Sequence, residues 1–197
     1  GEITTLQYIA DSLYLSSPTV GKLLREVSCW FEERGLKIVS MRRKGFCLEG
    51  SEYSFRIAIR DYMMDMMPGA WDALLGTFAP GVDVARIRQI VVEAENAWRI
   101  ELADRSFKMV WIMTCLSLAR NGSVNMGLSP ADMEDIQNHN EYSFAESIYQ
   151  RIEKVYQIGI SEEDVMILAI LLLTAKKIKS FTGLQNREYT KKYDRDL

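Results

Sequence analysis

Two helices are predicted near the start of the chain by apolar residues that recur every three or four positions. The first set lies within 6–13, in the sequence LQYIADSL. The second set follows LSSP and shares one face of a helix that ends near Gly35, a residue typical of helix C-caps. This second set, expected to face a core, comprises Val20, Leu23, Leu24, Val27 and Phe31. The turn between the helices falls near Tyr14, where a positive φ is favoured and a side chain costs steric strain.

The pattern changes to alternation after the second helix. Leu36 and Ile38 alternate with polar residues, RRKG interrupts the pattern, and Phe46 and Leu48 alternate again. This arrangement predicts a β-hairpin of two short strands with a basic tip at 42–44.

Helical spacing returns over 51–67 and dominates the remainder of the chain. We expect Ser51 to cap this next helix and Pro68-Gly69 to stop it. The sequence FAPGV, residues 78–82, is a second break and a candidate domain boundary. From there to about Lys179 the pattern predicts helices only, near 83–100, 104–121, 129–138, 143–157 and 161–179.

The order helix, tight turn, helix and basic hairpin is typical of a winged helix-turn-helix, a DNA-binding fold. A serine before the second helix supplies a cap, and Pro18 in its first turn costs no helical hydrogen bond. The helix start is thereby fixed, and its unpaired N–H groups can meet a phosphate. The candidate DNA contacts lie outside the apolar stripe or on the hairpin tip, and they are Ser17, Pro18, Thr19, Lys22, Arg25, Arg42, Arg43 and Lys44.

The distribution of charge favours a phosphate-bearing partner at the N-terminal end only. The whole chain of 197 residues carries a net charge of −3. Its first 60 residues hold nine Lys and Arg against seven Asp and Glu, a net charge of +2, which leaves −5 for the rest. A nucleic acid is therefore expected to meet the N-terminal part of the chain.

The sequence gives no indication of an enzyme, a cofactor or metal site, or a membrane-spanning segment. Three cysteines without a CxxC pair argue against a disulfide framework and a zinc site, and they fit a reducing cytoplasm. With one histidine, no Gly-rich phosphate loop and no nucleophile motif, we expect neither an enzyme nor a cofactor. No signal peptide is recognisable, and the longest apolar run, VMILAILLL, has nine residues against the roughly 20 of a membrane span. We therefore expect a cytoplasmic protein.

The sequence TLQYIADSLYLSSPTVGKLLREVSCWFEERGLKIVSMRRKGFCLEGSEYSFR resembles the DNA-binding start of bacterial transcription regulators that carry PTS regulation domains. Its most distinctive part is KGFCLEGSEYSFR, a wing strand that ends in Gly and runs into an acidic residue and Arg56. Further along, ARIRQIVVEAENAWRIELADRSFKMVWIMTCLSLARNG is similar to the first two helices of a PTS regulation domain, and YSFAESIYQRIEKVYQIGISEEDVMILAILLLTAKK is similar to its last two.

This resemblance implies a homodimeric regulator of carbohydrate uptake or utilisation genes, whose partners are double-stranded DNA and a second copy of itself. It favours an activator over a repressor without deciding between them. It also implies that this chain is the N-terminal part of a longer protein and lacks the first helix of the family, which would precede Gly1. The longer protein is expected to contact PTS phosphocarrier or permease components through domains outside this chain. The expected fold is mostly α, a winged helix-turn-helix with a small β-hairpin followed by an all-α bundle. The expected parts are the winged domain over 1–50, a helical linker over 51–81, the PTS regulation domain over 82–180 and a tail or linker over 181–197.

The phosphorylated histidines of the family have no counterparts at the aligned positions. They align with Met113 in WIMTCLSLAR and with Leu171 in ILAILLLTAKK, and neither side chain can accept a phosphate. The single histidine, His139, lies in the predicted break QNHNEYS, where we expect a solvated loop residue rather than a phosphoacceptor. The regulation domain is therefore expected to escape phosphorylation and to serve dimerisation.

Two other functions stay open at this point. Relatives with the same regulation domain are RNA-binding antiterminators, but they begin with a small β-rich module, whereas this chain begins with helix, helix and hairpin. A helical adaptor that binds only protein is the second alternative. Its adaptable apolar face, which we expect instead in a core or a dimer interface, would consist of Met63, Met64, Met66, Met67 and Trp71.

Overall fold

The structure, a computed structural model, describes residues 3–66, 71–120, 126 and 128–179, without the side chains of Met66 and Asp72. These residues are mostly helical with two small antiparallel sheets, which confirms the predicted fold class. The chain divides into two compact units, 1–58 and 59–197. The predicted Pro68-Gly69 stop and the predicted tail lie outside the described residues, and the predicted domain boundaries stay predictions.

The first unit holds a helix pair, a hairpin and the start of a third helix. Its elements are α1 Leu6–Leu13, α2 Ser17–Glu32, β1 Lys37–Met41, β2 Gly45–Glu49 and α3 Glu52–Met66, which continues into the second unit. The two strands pair in register, from Lys37 opposite Glu49 to Met41 opposite Gly45. Ser51 caps α3 as predicted, because its Oγ accepts the N–H of Ser54 at 3.0 Å.

The turn between α1 and α2 takes the backbone conformation that its position requires. Tyr14 adopts a left-handed φ of 55° although it carries a side chain, and it ends α1. Its N–H donates to the carbonyl groups of Ala10 and Asp11, and the residue is 96% exposed. The predicted helix, turn and helix are therefore formed with a strained tyrosine rather than a glycine.

The apolar stripe of α2 is buried at one end only. Val20 is 1% exposed, whereas Leu23 and Val27 are 38% and 41% exposed. The expectation that the whole stripe faces a core is wrong for these two side chains. With eight residues, α1 spans about 12 Å, half the length of the sixteen-residue α2, so it covers only part of the longer helix.

The second unit is a helical bundle with one small sheet. Beyond α3 its elements are α4 Trp71–Phe78, α5 Val84–Trp98, β3 Glu101–Leu102, α6 Asp104–Ala119, α7 Pro130–Gln137, α8 Asn140–Tyr156, α9 Glu162–Thr174 and β4 Lys177–Lys179. The predicted helices are present, although the one expected from 143 begins three residues earlier, after His139.

The centre of the bundle is α9, which is buried on every side. All residues from Asp164 to Leu173 are buried, and the helix packs against α6, α7 and α8. Most of α6 is equally enclosed, from Val110 to Ser117. No helix among the described residues is long and apolar enough to cross a membrane.

The suggested methionine face is also partly internal, because Met63 is fully buried and Trp71 is half-buried.

Two helix ends in this unit are built in the same way. The helices α5 and α8 end at Arg99 and Gln157, both with a left-handed φ. In each case a glutamate in the last turn of the helix accepts a hydrogen bond from a backbone N–H beyond the helix end. Glu95 accepts from the N–H of Leu102 at 2.8 Å, and Glu153 accepts from the N–H of Ile160 at 2.9 Å. The carboxylates thereby hold the chain where it leaves each helix. Burial is the main cause that raises the pKa of Glu95 above its ordinary value, against the lowering effect of the Leu102 hydrogen bond.

The expectation of helices only between 83 and 179 is wrong at two places. The last helix ends at Thr174, and β4 pairs antiparallel with β3, with Glu101 opposite Lys179. Ala175 is already extended, and the N–H of Ala103 donates to the carbonyl of Lys176 at 2.9 Å. The strands depend on this pairing between distant segments, which the local pattern of either segment does not reveal.

A buried ion pair joins β4 to the start of α8. Lys177 Nζ lies 2.9 Å from Glu141 Oε1, both side chains are 4% exposed, and Nζ also donates to the carbonyl of Leu172 at 2.8 Å. A buried pair of this kind costs much when only one partner is removed, because the remaining charge stays out of water.

We expect Lys177→Met to lower the free energy of unfolding by about 3–5 kcal/mol, measured by urea denaturation followed by circular dichroism. The double variant Glu141→Gln/Lys177→Met should recover part of the loss. The control, Lys108→Met, breaks an ion pair with the exposed Asp104 and should cost less than about 1 kcal/mol. Equal losses for the two single variants would contradict this account.

Candidate DNA-binding surface

The start of α2 is fixed by a serine cap. Ser16 Oγ accepts the N–H of Thr19 at 3.3 Å and lies 2.8 Å from the hydroxyl of Thr19. Pro18 occupies the first turn, where a helix loses no hydrogen bond to it. Of the predicted contacts on this helix, Pro18, Thr19, Lys22 and Arg25 are exposed and Ser17 is half-buried.

Two consecutive hydrogen bonds between side chains join the start of α2 to α1. Ser17 Oγ donates to Gln7 Oε1 at 3.2 Å, and Gln7 Nε2 donates to Asp11 Oδ1 at 2.7 Å. These contacts bring the N-terminal turns of both helices together. Sequence analysis did not identify Gln7, because an exposed polar residue on a helix carries no local signal of a partner ten positions away.

The residue before the cap of α1 pairs with the hairpin. The N–H of Thr4 donates to the carbonyl of Phe46 at 2.8 Å, and the N–H of Phe46 donates to the carbonyl of Thr4 at 2.7 Å. Phe46 is the second residue of β2, close to the hairpin turn, so the start of α1 adjoins the wing. Sequence analysis missed Thr4 as well, although its branched side chain is common in strands.

The basic residues lie on the turn of the hairpin, as predicted. Arg42, Arg43 and Lys44 are exposed, and the turn is closed by the N–H of Lys44, which donates to the carbonyl of Met41 at 3.0 Å. Arg43 takes a left-handed φ of 63°. Three cationic side chains therefore lie at the edge of the unit where α1 starts.

These contacts place three features together in the first unit: the start of α2, the start of α1 and the basic turn. Lysine and arginine side chains with exposed helix starts suit the binding of phosphate groups, and a helix start can present side chains to base edges. No group of three or more His, Cys, Asp or Glu residues that could hold a metal occurs in the part of the chain that the structure describes.

The two positions that the resemblance aligns with phosphorylated histidines lie in the core of the second unit. Met113 on α6 is 1% exposed and Leu171 on α9 is 4% exposed, and these helices pack against each other. His139 is half-buried and directly precedes α8. Burial also raises the pKa of the Cys115 thiol far above its ordinary value, so this cysteine stays protonated.

Gly45 allows the close approach between the wing and Thr4. Its φ is 122°, and a Cβ at this position would lie 2.1 Å from the carbonyl oxygen of Thr4. We expect Gly45→Ala to lower the free energy of unfolding of the first unit by at least about 1–3 kcal/mol, measured by thermal or urea denaturation.

The matched control is Gly21→Ala inside α2. A Cβ there meets nothing within 4 Å, so alanine should stabilise the helix by about 0.5–1 kcal/mol. A Gly45→Ala variant as stable as the unmodified chain would show that the Thr4–Phe46 pairing tolerates displacement.

Comparison with known proteins gives two family matches and two relatives. Residues 1–63 match the Mga helix-turn-helix domain, and residues 88–175 match the PRD domain. The chain is 23% identical to the probable licABCH operon regulator of Bacillus subtilis (strain 168) over 176 residues, which are 88% of this chain and 28% of that protein. It is 24% identical to the transcriptional regulator ManR of the same organism over 173 residues, which are 85% of this chain and 26% of that protein.

The chain spans about a quarter of the length of these relatives. The matched families and relatives are those of transcriptional regulators, not of enzymes. The chain therefore carries an Mga helix-turn-helix domain followed by a PRD domain, which confirms its resemblance to the PRD-containing transcriptional regulators.

Proposed function

We propose that this chain is the DNA-binding and dimerisation part of a cytoplasmic transcription activator that controls carbohydrate uptake or utilisation genes. The observation that carries the proposal is the convergence of the α2 start, the α1 start and the basic turn, joined through Gln7 and Thr4. The relatives support it, because one is named as the probable regulator of the licABCH operon and the other as a transcriptional regulator.

The DNA contacts in this proposal divide into two kinds. Ser17, Thr19, Lys22 and Arg25 on α2 approach base edges in the major groove, with Pro18 beside them. Arg42, Arg43 and Lys44 on the turn contact the phosphate backbone or the minor groove. No specific observation favours an RNA-binding function, because the described residues of the first unit form helices and one hairpin rather than a β-rich module.

The PRD domain, in this proposal, dimerises and is not itself phosphorylated. Phosphorylation adds a charge of about −1.5 to −2, which needs an acceptor nitrogen and access to the donor protein. Met113 and Leu171 offer neither, since both are apolar and buried. Contact with PTS phosphocarrier or permease components then falls to domains outside this chain.

Charge reversal on α2 tests DNA binding. We expect Lys22→Glu/Arg25→Glu to weaken binding to a duplex DNA by roughly 10²-fold, because two attractive contacts become repulsive. Fluorescence anisotropy with labelled duplexes measures the affinity and its salt dependence. The salt concentration is varied from about 50 to about 200 mM, where phosphate contacts strongly affect the affinity.

The control carries the same change in net charge on the second unit, Lys154→Glu/Lys176→Glu, and should bind DNA almost unchanged. Both of its lysines are exposed. An RNA hairpin serves as competitor and should displace duplex DNA poorly. Unaltered affinity of the α2 variant, or preference for the hairpin, would refute the proposed DNA surface.

A phosphotransfer assay tests the second part of the proposal. After incubation with enzyme I, phosphocarrier protein and labelled phosphoenolpyruvate, we expect no stable label within residues 82–180. The His139→Gln variant assigns any label that appears, because it removes the only imidazole of the chain. Stable label in the unmodified chain that disappears from this variant would overturn the proposal of an unphosphorylated domain.

A further inference from the structure

The hydrogen-bond chain Asp11–Gln7–Ser17 has a fixed direction. A carboxylate can only accept hydrogen bonds, so the side of the Gln7 amide that faces Asp11 must be its NH₂ group. The distance from Gln7 Nε2 to Asp11 Oδ1 is 2.7 Å, and the two residues lie one helical turn apart on α1. The amide oxygen of Gln7 is thereby directed away from Asp11, toward the start of α2.

The direction of the chain decides what the Ser17 hydroxyl can do. Its Oγ lies 3.2 Å from Gln7 Oε1, which carries no hydrogen, so Ser17 must be the donor. A hydroxyl has one proton and two lone pairs, and the proton is now engaged. What Ser17 offers to any further partner is therefore an acceptor only.

Acceptor-only character divides the four bases into two classes. In the major groove, the hydrogen-bond donors are the N6 amino group of adenine and the N4 amino group of cytosine, whereas guanine and thymine offer acceptors at O6, N7 and O4. A free serine hydroxyl can contact either class. Phosphate oxygens are acceptors too, so they do not match a serine whose proton is engaged.

We propose that Ser17 reads an exocyclic amino group, of adenine or cytosine, in the major groove, and that Gln7 and Asp11 are positioning residues that impose this preference. The inference rests on the proposed DNA-binding function and deepens it. Ser17 is the first residue of α2, and the N-terminal residues of a recognition helix are those that contact base edges.

The neighbouring hydroxyl pair does not impose such a direction. Ser16 Oγ and Thr19 Oγ1 lie 2.8 Å apart, and either atom can be the donor. The pair can therefore reverse its hydrogen bond to suit a base of either class. The directed link from Asp11 through Gln7 distinguishes Ser17 from the other hydroxyl groups at the start of α2.

The test is selection of bound sequences from random duplexes by the full chain and by three variants. Ser17→Ala identifies the base position that Ser17 reads, because its preference relaxes there. We expect the unmodified chain to enrich adenine or cytosine at that position, and Gln7→Ala to admit guanine or thymine as well. Gln89→Ala, which removes an exposed glutamine from α5, should enrich the same sequences as the unmodified chain.

Base analogues give a second readout, which tests the contact between Ser17 and the amino group directly. Replacing the selected adenine by purine, or the selected cytosine by 2-pyrimidinone, removes only the amino group. This change should weaken the binding of the unmodified chain to DNA about five- to tenfold, the effect of one hydrogen bond. The affinity of the Ser17→Ala variant should be the same for the natural base and the analogue.

Enrichment of guanine or thymine at the Ser17 position, or the same base preference in Gln7→Ala, would overturn this inference and leave the proposed function intact. Failure of the unmodified chain to enrich any sequence or to bind duplex DNA at all would overturn both.

Discussion

The arrangement of the first unit depends on two backbone hydrogen bonds between Thr4 and Phe46. They attach the segment before α1 to the strand that follows the basic turn, and they are possible because Gly45 has no Cβ to meet the Thr4 carbonyl. Besides this pairing, the hairpin is held by its own ladder and by the packing of β1 against α2, and a two-stranded ribbon alone is marginal in water. The position of three cationic side chains thus rests on a contact in which no charged group takes part.

A different constraint governs the second unit, where α9 has no polar face. A helix that is apolar all round is stable only when neighbours enclose it, and here α6, α7 and α8 do so. The same enclosure explains why Met113 and Leu171 suit their positions, since any charged group there would have to leave water. Where charge is buried in this unit, as in the pair of Glu141 and Lys177, it is matched within hydrogen-bond distance.

Periodicity and caps predicted the elements because these signals are local. The serine, the proline and the apolar spacing of α2 all lie within one helix, and the hairpin follows from alternation around RRKG. What the sequence did not reveal depends on contacts between distant segments: the pairing of Thr4 with Phe46, the link from Gln7 to Ser17, and the sheet formed by β3 and β4. The burial of Leu23 and Val27 was overestimated for a related reason, because a stripe shows which face can be covered and not how far a neighbour reaches.

The pairing of β3 with β4 has a consequence for the order in which the chain folds. The strands that close the second unit lie more than 70 residues apart, so this unit cannot be completed until Lys179 has left the ribosome. The contacts of the first unit close within its first 58 residues. During synthesis all residues of the first unit are therefore available to one another before the strand that completes the second unit has been made, so the two units can form in that order.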